Sequence, residues 1–205
     1  MVTLLYIKEE NKIMKNLSSK PLNILLLCGG SGSGKSFISD LLVNGNPEGL
    51  FLSKKVTFHK PMQITTREKR LLENPTDYYF IKPENFNEYK EFVTAYTNFN
   101  NNEYGTIVSN LVYSDTVINV LVVSQEGKKN VINDFNGKEN VFIETALILG
   151  DPDDGMINEH GRDINFFKDE LYSLLKEKYD YYIPNYGPDD YCTYKDVLKY
   201  LGYLK

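Results

Sequence analysis

This sequence of 205 residues has few cysteines, no excess of positive charge and few long apolar runs. Its two cysteines, Cys28 and Cys192, lie far apart and form no CxxC pair, so the sequence indicates neither a disulfide framework nor a cysteine metal site. Lys and Arg number 23 against 28 Asp and Glu, and the net charge of −5 disfavours broad binding to nucleic acid or to an acidic membrane. We therefore expect a cytoplasmic protein with neither kind of partner.

The N-terminal residues 1–20 contain one short apolar run, Val2–Ile7. That run is too short to span a membrane, and the mixed charge after it does not follow the order of regions in a signal peptide. We expect a flexible arm over residues 1–20 and one domain over residues 21–205, acting as a monomer or homodimer. A domain of this length can bury a substantial core.

Strand and helix patterns alternate along most of the chain. Continuous apolar runs predict strands that are buried on both faces, at Leu22–Cys28, Val117–Val123 and Asn140–Ala146. Helical patterns follow the first of these strands, connect the other two, and recur at Asp163–Tyr179 and Thr193–Leu201. Tyr181–Ile183 is predicted to be a short strand between these last two helices.

Residues 56–106 have a different composition, rich in Thr, Tyr, Phe and Asn. Their short alternating runs predict a small antiparallel β insert with one short helix that begins near Pro83. The predicted fold class is α/β: a parallel sheet flanked by helices, a small mixed β insert, and a lid near residues 150–163.

The segment Gly29–Ser36, GGSGSGKS, fits the phosphate-loop pattern GxxxxGK[ST]. Its glycines allow successive backbone N–H groups to converge on phosphate oxygens, Lys35 can reach the β and γ phosphates, and the Ser36 hydroxyl can ligate Mg²⁺. The residues predicted to bind the phosphate chain are Ser31, Gly32, Ser33, Gly34, Lys35 and Ser36. A chance Gly/Ser-rich turn is the alternative, which the preceding strand and the following helix disfavour. The loop alone does not separate a kinase from a GTPase, a motor ATPase or a nucleotide sensor.

Three further motifs follow in order: TTREKR at Thr65–Arg70, DYYF at Asp77–Phe80 and EYGT at Glu103–Thr106. A late segment, EKYDYYIPN, occupies Glu177–Asn185. Together with the loop, these patches resemble the guanylate kinase family. The resemblance implies that family's fold, with ATP and Mg²⁺ as cofactors and a nucleoside monophosphate as the acceptor.

The resemblance also implies residue roles. The acceptor's phosphate would lie on Arg67, Arg70, Tyr78 and Tyr104, and Thr106 would help to read the base. Asn185 would lie on the adenine side of the ATP site. The chemistry is consistent with this assignment, because a phosphate dianion requires guanidinium forks and hydroxyl donors. The alternative is that the arginines are solvated surface charges and the tyrosines are packing aromatics.

Two parts of the family pattern are absent. Thr94 or Ala95 stands in place of a glutamate that reads guanine, and Ser124 stands in place of an aspartate. Thr, Ala and Ser cannot accept from guanine's N1–H and N2–H₂ as strongly as a carboxylate does. We therefore expect a hydrogen-bonding pocket of Gln63, Thr94, Thr106 and Ser124 that suits a base other than guanine, a modified base or a sugar phosphate.

The lid segment also lacks the family's arginines at their usual positions. Arg162 and Lys168 are the nearby cations, and we predict that they act with Lys35 in the transfer. The function predicted is ATP-dependent phosphoryl transfer to a nucleoside monophosphate, without a side-chain nucleophile. Two alternatives stay open: a nucleotide-binding or interaction module of the same fold with weak or no turnover, and a kinase of a sugar phosphate.

Overall fold

The computed structural model describes residues 19–45, 50, 52–53, 55–69, 78–150, 164–185 and 193–204. Its larger sheet has five strands in the order β2-β7-β1-β8-β9, and every pair of neighbours is parallel. The strands are β1 (Leu22–Cys28), β2 (Thr57–His59), β7 (Val117–Val122), β8 (Val141–Gly150) and β9 (Tyr181–Asn185). The central strand β1 is buried almost throughout, as its apolar sequence predicts.

Helices cover both faces of this parallel sheet. They are α1 (Lys35–Asn44), α2 (Gln125–Asp134), α3 (Ile164–Leu175) and α4 (Tyr194–Tyr200). Apolar side chains of α1 and α4 enter the core on one face, and those of α2 and α3 enter the core on the other. The predicted α/β class with a parallel sheet flanked by helices is therefore confirmed. None of the helices in the described part of the chain has the length and apolarity needed to cross a membrane.

The smaller sheet has four strands in the order β4-β3-β6-β5. The strands are β3 (Gln63–Thr65), β4 (Tyr78–Phe80), β5 (Val93–Phe99) and β6 (Asn102–Ile107). Because β3 and β4 pair in parallel while the other pairs are antiparallel, the sheet is mixed, which confirms the predicted small mixed β insert; the antiparallel part is β3-β6-β5. The predicted short helix is instead two 3₁₀ segments, Pro83–Glu88 and Lys90–Phe92.

Helix α3 ends earlier than its sequence pattern predicts. Tight turns close it, with the backbone N–H groups of Lys176 and Glu177 donating to carbonyls three residues earlier. Near this end, Leu175 is 48% exposed, whereas Leu174 is buried. Asp163, where this helix was predicted to begin, and residues 151–163 of the predicted lid lie outside the described residues.

Hydrogen bonds attach the small sheet to helix α2, which begins three residues after β7. Asn130 on α2 donates from Nδ2 to the Tyr96 carbonyl at 2.7 Å. The Thr94 hydroxyl donates to Asp134 at 2.6 Å, so that strand β5 is held against α2 at two points. The edge between the two sheets is therefore a defined cleft.

Candidate active site

A cavity of about 300 Å³ lies where the parallel strands end and the small sheet faces them. The residues that follow β1 and β7, together with one residue of α3, form one side: Gly29, Ser31, Lys35, Ser36, Val122, Val123, Ser124 and Glu170. The small sheet and its turns form the other: Gln63, Arg67, Tyr78, Ala95, Thr97, Phe99, Tyr104 and Gly105. The carboxyl edge of an open parallel sheet is where ligands bind in α/β folds.

The phosphate loop is shaped by backbone conformation that its sequence permits. Gly34 precedes α1 with a φ of +86°, a left-handed conformation that glycine adopts without strain. Gly34, at the N-cap of α1, provides no side-chain cap, and the helix dipole favours an anion at this end of the helix. The Lys35 ammonium bends back over the loop and donates to the carbonyls of Gly29 at 2.9 Å and Gly30 at 2.7 Å.

Asn185, at the end of β9, lies beneath this loop. Its side chain is only 3% exposed, and its Nδ2 donates to the Ser33 carbonyl at 3.1 Å. A Cβ on Gly34 would lie 2.1 Å from the same Nδ2 atom. Asn185 therefore packs directly against the loop backbone, and the structure gives it a loop contact that the predicted adenine-side role did not include.

Arg67 is the cation of the opposite wall. Its guanidinium lies 5.4 Å from the ring centroid of Tyr78 and 5.7 Å from that of Phe80. The Tyr78 ring in turn meets Tyr104 edge-on, with a centroid separation of 6.4 Å. The Nη1 of Arg67 also donates to the Glu68 carbonyl at 2.7 Å, and the aromatic faces stabilise the guanidinium without accepting its N–H groups in the ring plane. The predicted acceptor-phosphate residues Arg67, Tyr78 and Tyr104 are thus neighbours in one cluster.

The floor of the cavity is formed by uncharged groups. Gln63 donates from Nε2 to the Val122 carbonyl at 3.0 Å, which leaves the rest of its amide for other partners. The hydroxyls of Thr97 and Ser124 are 3.0 Å apart, and Ser124 also accepts from the Gly127 N–H at the start of α2. Whichever of the two hydroxyls donates to the other, one hydroxyl hydrogen of the pair is left over.

Two residues of the predicted base pocket do not line the cavity. The Thr94 hydroxyl is used by Asp134, and Thr94 is 1% exposed. Thr106 is fully buried between Gln63 and Thr94 in the sheet register, and its hydroxyl has no hydrogen-bond partner among the described residues. Thr97, two positions further along β5 than Ala95, faces the cavity because the pairing of β5 shifts between Thr94 and Thr97.

The other predicted site residues have different placements. Gly32, Ser33 and Gly34 belong to the loop, but the Ser33 side chain is buried. Lys168 is exposed on α3 and does not line the cavity. Glu170, two residues later, does, because a two-residue step turns a side chain by about 200° around a helix. Arg70 and Arg162 lie outside the described residues.

A buried ion pair joins α2 to the segment between α3 and β9. Lys128 of α2 is 5% exposed, pairs with Glu177 and lies 4.0 Å from the ring centroid of Tyr179. The hydrogen bond from Lys128, with others from Gln125 and Lys129, lowers the pKa of Glu177 to about 2. Burial raises the pKa of Cys28, the residue before the loop, to about 12, so this thiol stays neutral and packs in the core.

The parallel sheet, the loop after its central strand and the helix that follows the loop define a P-loop α/β protein. Within that class, the family model for guanylate kinase matches residues 21–201, and the chain belongs to the guanylate kinase family. A guanylate kinase of Malacoplasma penetrans is 28% identical over 91% of this chain and 95% of its own length. One of Mycoplasmopsis pulmonis is 36% identical over 62% of this chain, and the match spans 63% of that relative.

The fold likeness extends to a solved structure. The crystal structure of guanylate kinase from Anaplasma phagocytophilum superposes with a TM-score of 0.53, at 22% identity, covering 81% of this chain and 78% of the other. This likeness concerns the fold, namely the parallel sheet with its flanking helices and the second, small mixed sheet.

Proposed function

We propose that this chain transfers the terminal phosphoryl group of ATP to a nucleoside monophosphate. The observation that carries the proposal is that one cavity is lined both by the phosphate loop and by the Arg67, Tyr78 and Tyr104 cluster. A phosphoryl transfer between two phosphates requires these two anion sites to face each other. The guanylate kinase names of the two relatives support the same reaction class.

In this proposal the chain contributes positioning and charge. Lys35 and the N-terminus of α1 hold the donor's β and γ phosphates, and Arg67 with the two tyrosine hydroxyls holds the acceptor's phosphate. No side chain is required as a nucleophile, since the acceptor's own phosphate oxygen attacks. Arg162 and Lys168 stay predicted contributors of further positive charge.

Mg²⁺ fits the residues of this cavity as a partner of the nucleotide. The Ser36 hydroxyl is a hard oxygen ligand on the loop, and the described residues contain no cluster of three acidic, histidine or cysteine side chains for a resident ion. The ion would be held by Ser36 and the substrate's phosphates, and when bound it neutralises charge on the phosphate chain. Removing it with a chelator is therefore expected to abolish turnover.

We infer that the acceptor's base is read by neutral groups, namely the Gln63 amide and the Thr97–Ser124 hydroxyl pair. With Arg67 holding the phosphate, the floor of the cavity is the surface left for the base. Guanine offers two adjacent donors that a carboxylate accepts best, and the floor contains none. We expect GMP to be a poorer acceptor than a nucleoside monophosphate whose base lacks the adjacent N1–H and N2–H₂ donors.

The test is a coupled ADP-release assay with ATP·Mg²⁺ and a panel of acceptors: GMP, IMP, AMP, UMP, dTMP and a ribose bisphosphate. Formation of a nucleoside diphosphate from any of the nucleoside monophosphates supports the proposed kinase activity. The order of kcat/KM among the acceptors tests the inference about the base. ATP binding in a calorimeter without turnover of any acceptor would establish the binding-module alternative. Turnover of the ribose bisphosphate alone would establish the second alternative, a kinase of a sugar phosphate. Monomer or homodimer, and a cytoplasmic location, stay predictions.

A further inference from the structure

A carboxylate of this chain already occupies part of the phosphate loop. The backbone N–H of Ser31 donates to Oε2 of Glu170 at 2.8 Å, across 139 positions of sequence. A Cβ on Gly30 would lie 3.4 Å from the same oxygen, so the carboxylate lies over two consecutive residues of the loop. Glu170 is half-buried and is the only carboxylate among the described residues that line the cavity.

The Glu170 carboxylate contacts the loop in the way that a nucleotide's phosphate would. A phosphate loop binds anions because its backbone N–H groups point at phosphate oxygens, and a carboxylate oxygen presents the same charge sign and the same acceptor. Lys35 holds the carbonyls of the same turn, Gly29 and Gly30, from the other side. Within the chain itself, the Lys35 ammonium and the Ser31 N–H of the loop therefore both have hydrogen-bond partners.

We propose that Glu170 is a latch that competes with the triphosphate chain for the loop, so that ATP binds by displacing it. The proposal rests on the proposed function, since it requires the loop to bind phosphate. Its physical reason is that two anions in one half-buried site repel each other and cannot both accept from the Ser31 N–H. Because Glu170 belongs to α3, occupation of the loop is thereby coupled to the position of that helix.

Glu170→Gln separates charge from hydrogen bonding. The glutamine carbonyl can still accept from the Ser31 N–H, so the loop keeps its contact while the negative charge is removed. Asp169→Asn is the matched control, because it removes the same charge from the neighbouring exposed position of the same helix, which does not line the cavity. Thermal melting of each variant verifies that it folds.

The measurement is calorimetric affinity for ATP and for tripolyphosphate, each at low and at high salt. We expect E170Q to bind tripolyphosphate about 10-fold more tightly than the wild type at low salt, with a smaller gain at high salt because ions screen the repulsion. D169N is expected to stay within about twofold of the wild type. Equal or weaker binding by E170Q would show that Glu170 supports the loop and would overturn the latch.

The two proposals fail in different ways. A wild-type protein that binds neither ATP nor tripolyphosphate overturns the proposed function and the latch together. A wild-type protein that binds both ligands, with an E170Q variant that gains nothing, overturns the latch alone. An equal gain in D169N and E170Q also overturns it, because general electrostatics would then explain the effect.

Discussion

Replacing Gly34 by alanine tests how the phosphate loop is held in shape. At a φ of +86° an alanine is expected to lose about 1–2 kcal/mol from its Cβ alone. The new Cβ would also lie 2.1 Å from Asn185 Nδ2 and force that side chain away. The buried Ser33 carbonyl would then lose its partner, at a cost of about 1–3 kcal/mol. We therefore expect G34A to lower the free energy of unfolding by about 2–5 kcal/mol.

Three further variants separate these contributions. Gly137 has a φ of +71° and no atom within 4 Å of an added Cβ, so G137A should lose only the conformational part, about 1–2 kcal/mol. N185A removes the hydrogen bond directly. In the double variant G34A/N185A the collision disappears and the lost bond is counted once, so its cost should fall short of the sum of the single costs by about 1–3 kcal/mol.

The assay is urea denaturation followed by circular dichroism, on the four variants and the wild type. Additive costs, within about 0.5 kcal/mol, would refute the reasoning, because independent effects of Gly34 and Asn185 would mean that Asn185 does not hold the loop. Equal costs for G34A and G137A would refute it as well, since the collision would then contribute nothing.

Three other predictions concern charge. Lys35→Met should lower kcat/KM about 10²–10³-fold, and near-wild-type turnover would show that the donor lies elsewhere. Arg67→Lys, which loses both the guanidinium fork and the ring contact, should raise KM for the acceptor about 10–100-fold with little change in KM for ATP; an equal rise in both constants would place Arg67 outside an acceptor site. Glu177→Gln should lower the stability at neutral pH by about 3 kcal/mol, because it leaves Lys128 buried without its charge partner. The pKa of Glu177 is lowered from 4.5 to about 2 in the folded protein, so its stabilisation is present above pH 4.5 and is lost as the pH falls towards 2; a stability difference that stays constant over this range would contradict the assigned cause.

Local sequence was sufficient for the central part of the fold. The apolar run of β1 and the Gly/Ser pattern after it are contiguous, so strand, loop and helix could be predicted without knowing what they contact. The pairing of β3 with β4 could not be predicted, since alternation shows which side chains share a face and says nothing of strand direction. Likewise, a 3₁₀ segment and a short α-helix have nearly the same apolar spacing.

Which residues line the cavity was predictable where a motif names them, as with Lys35 and Arg67, whose functional roles stay predictions. Glu170 was missed because an acid on a predicted helix has no local signal that distinguishes it from a solvated one. The face of α3 that meets the cavity depends on how Leu174 packs, which is a tertiary property. For the same reason Lys168 was predicted in a role that its exposed position does not favour.

The attachment of the small sheet has a consequence for the geometry of the proposed reaction. Leu27 pairs with Val122 in the parallel sheet, and Gln63 bonds to the Val122 carbonyl, so a short path of backbone and one amide joins the phosphate loop to the small sheet. The loop begins two residues beyond Leu27, at Gly29. In the proposed reaction, the spacing between the donor's and the acceptor's phosphates would therefore depend on the number of residues in adjacent strands. A residue inserted between Cys28 and Gly29 is expected to leave both proposed phosphate sites in place and to change the distance between them.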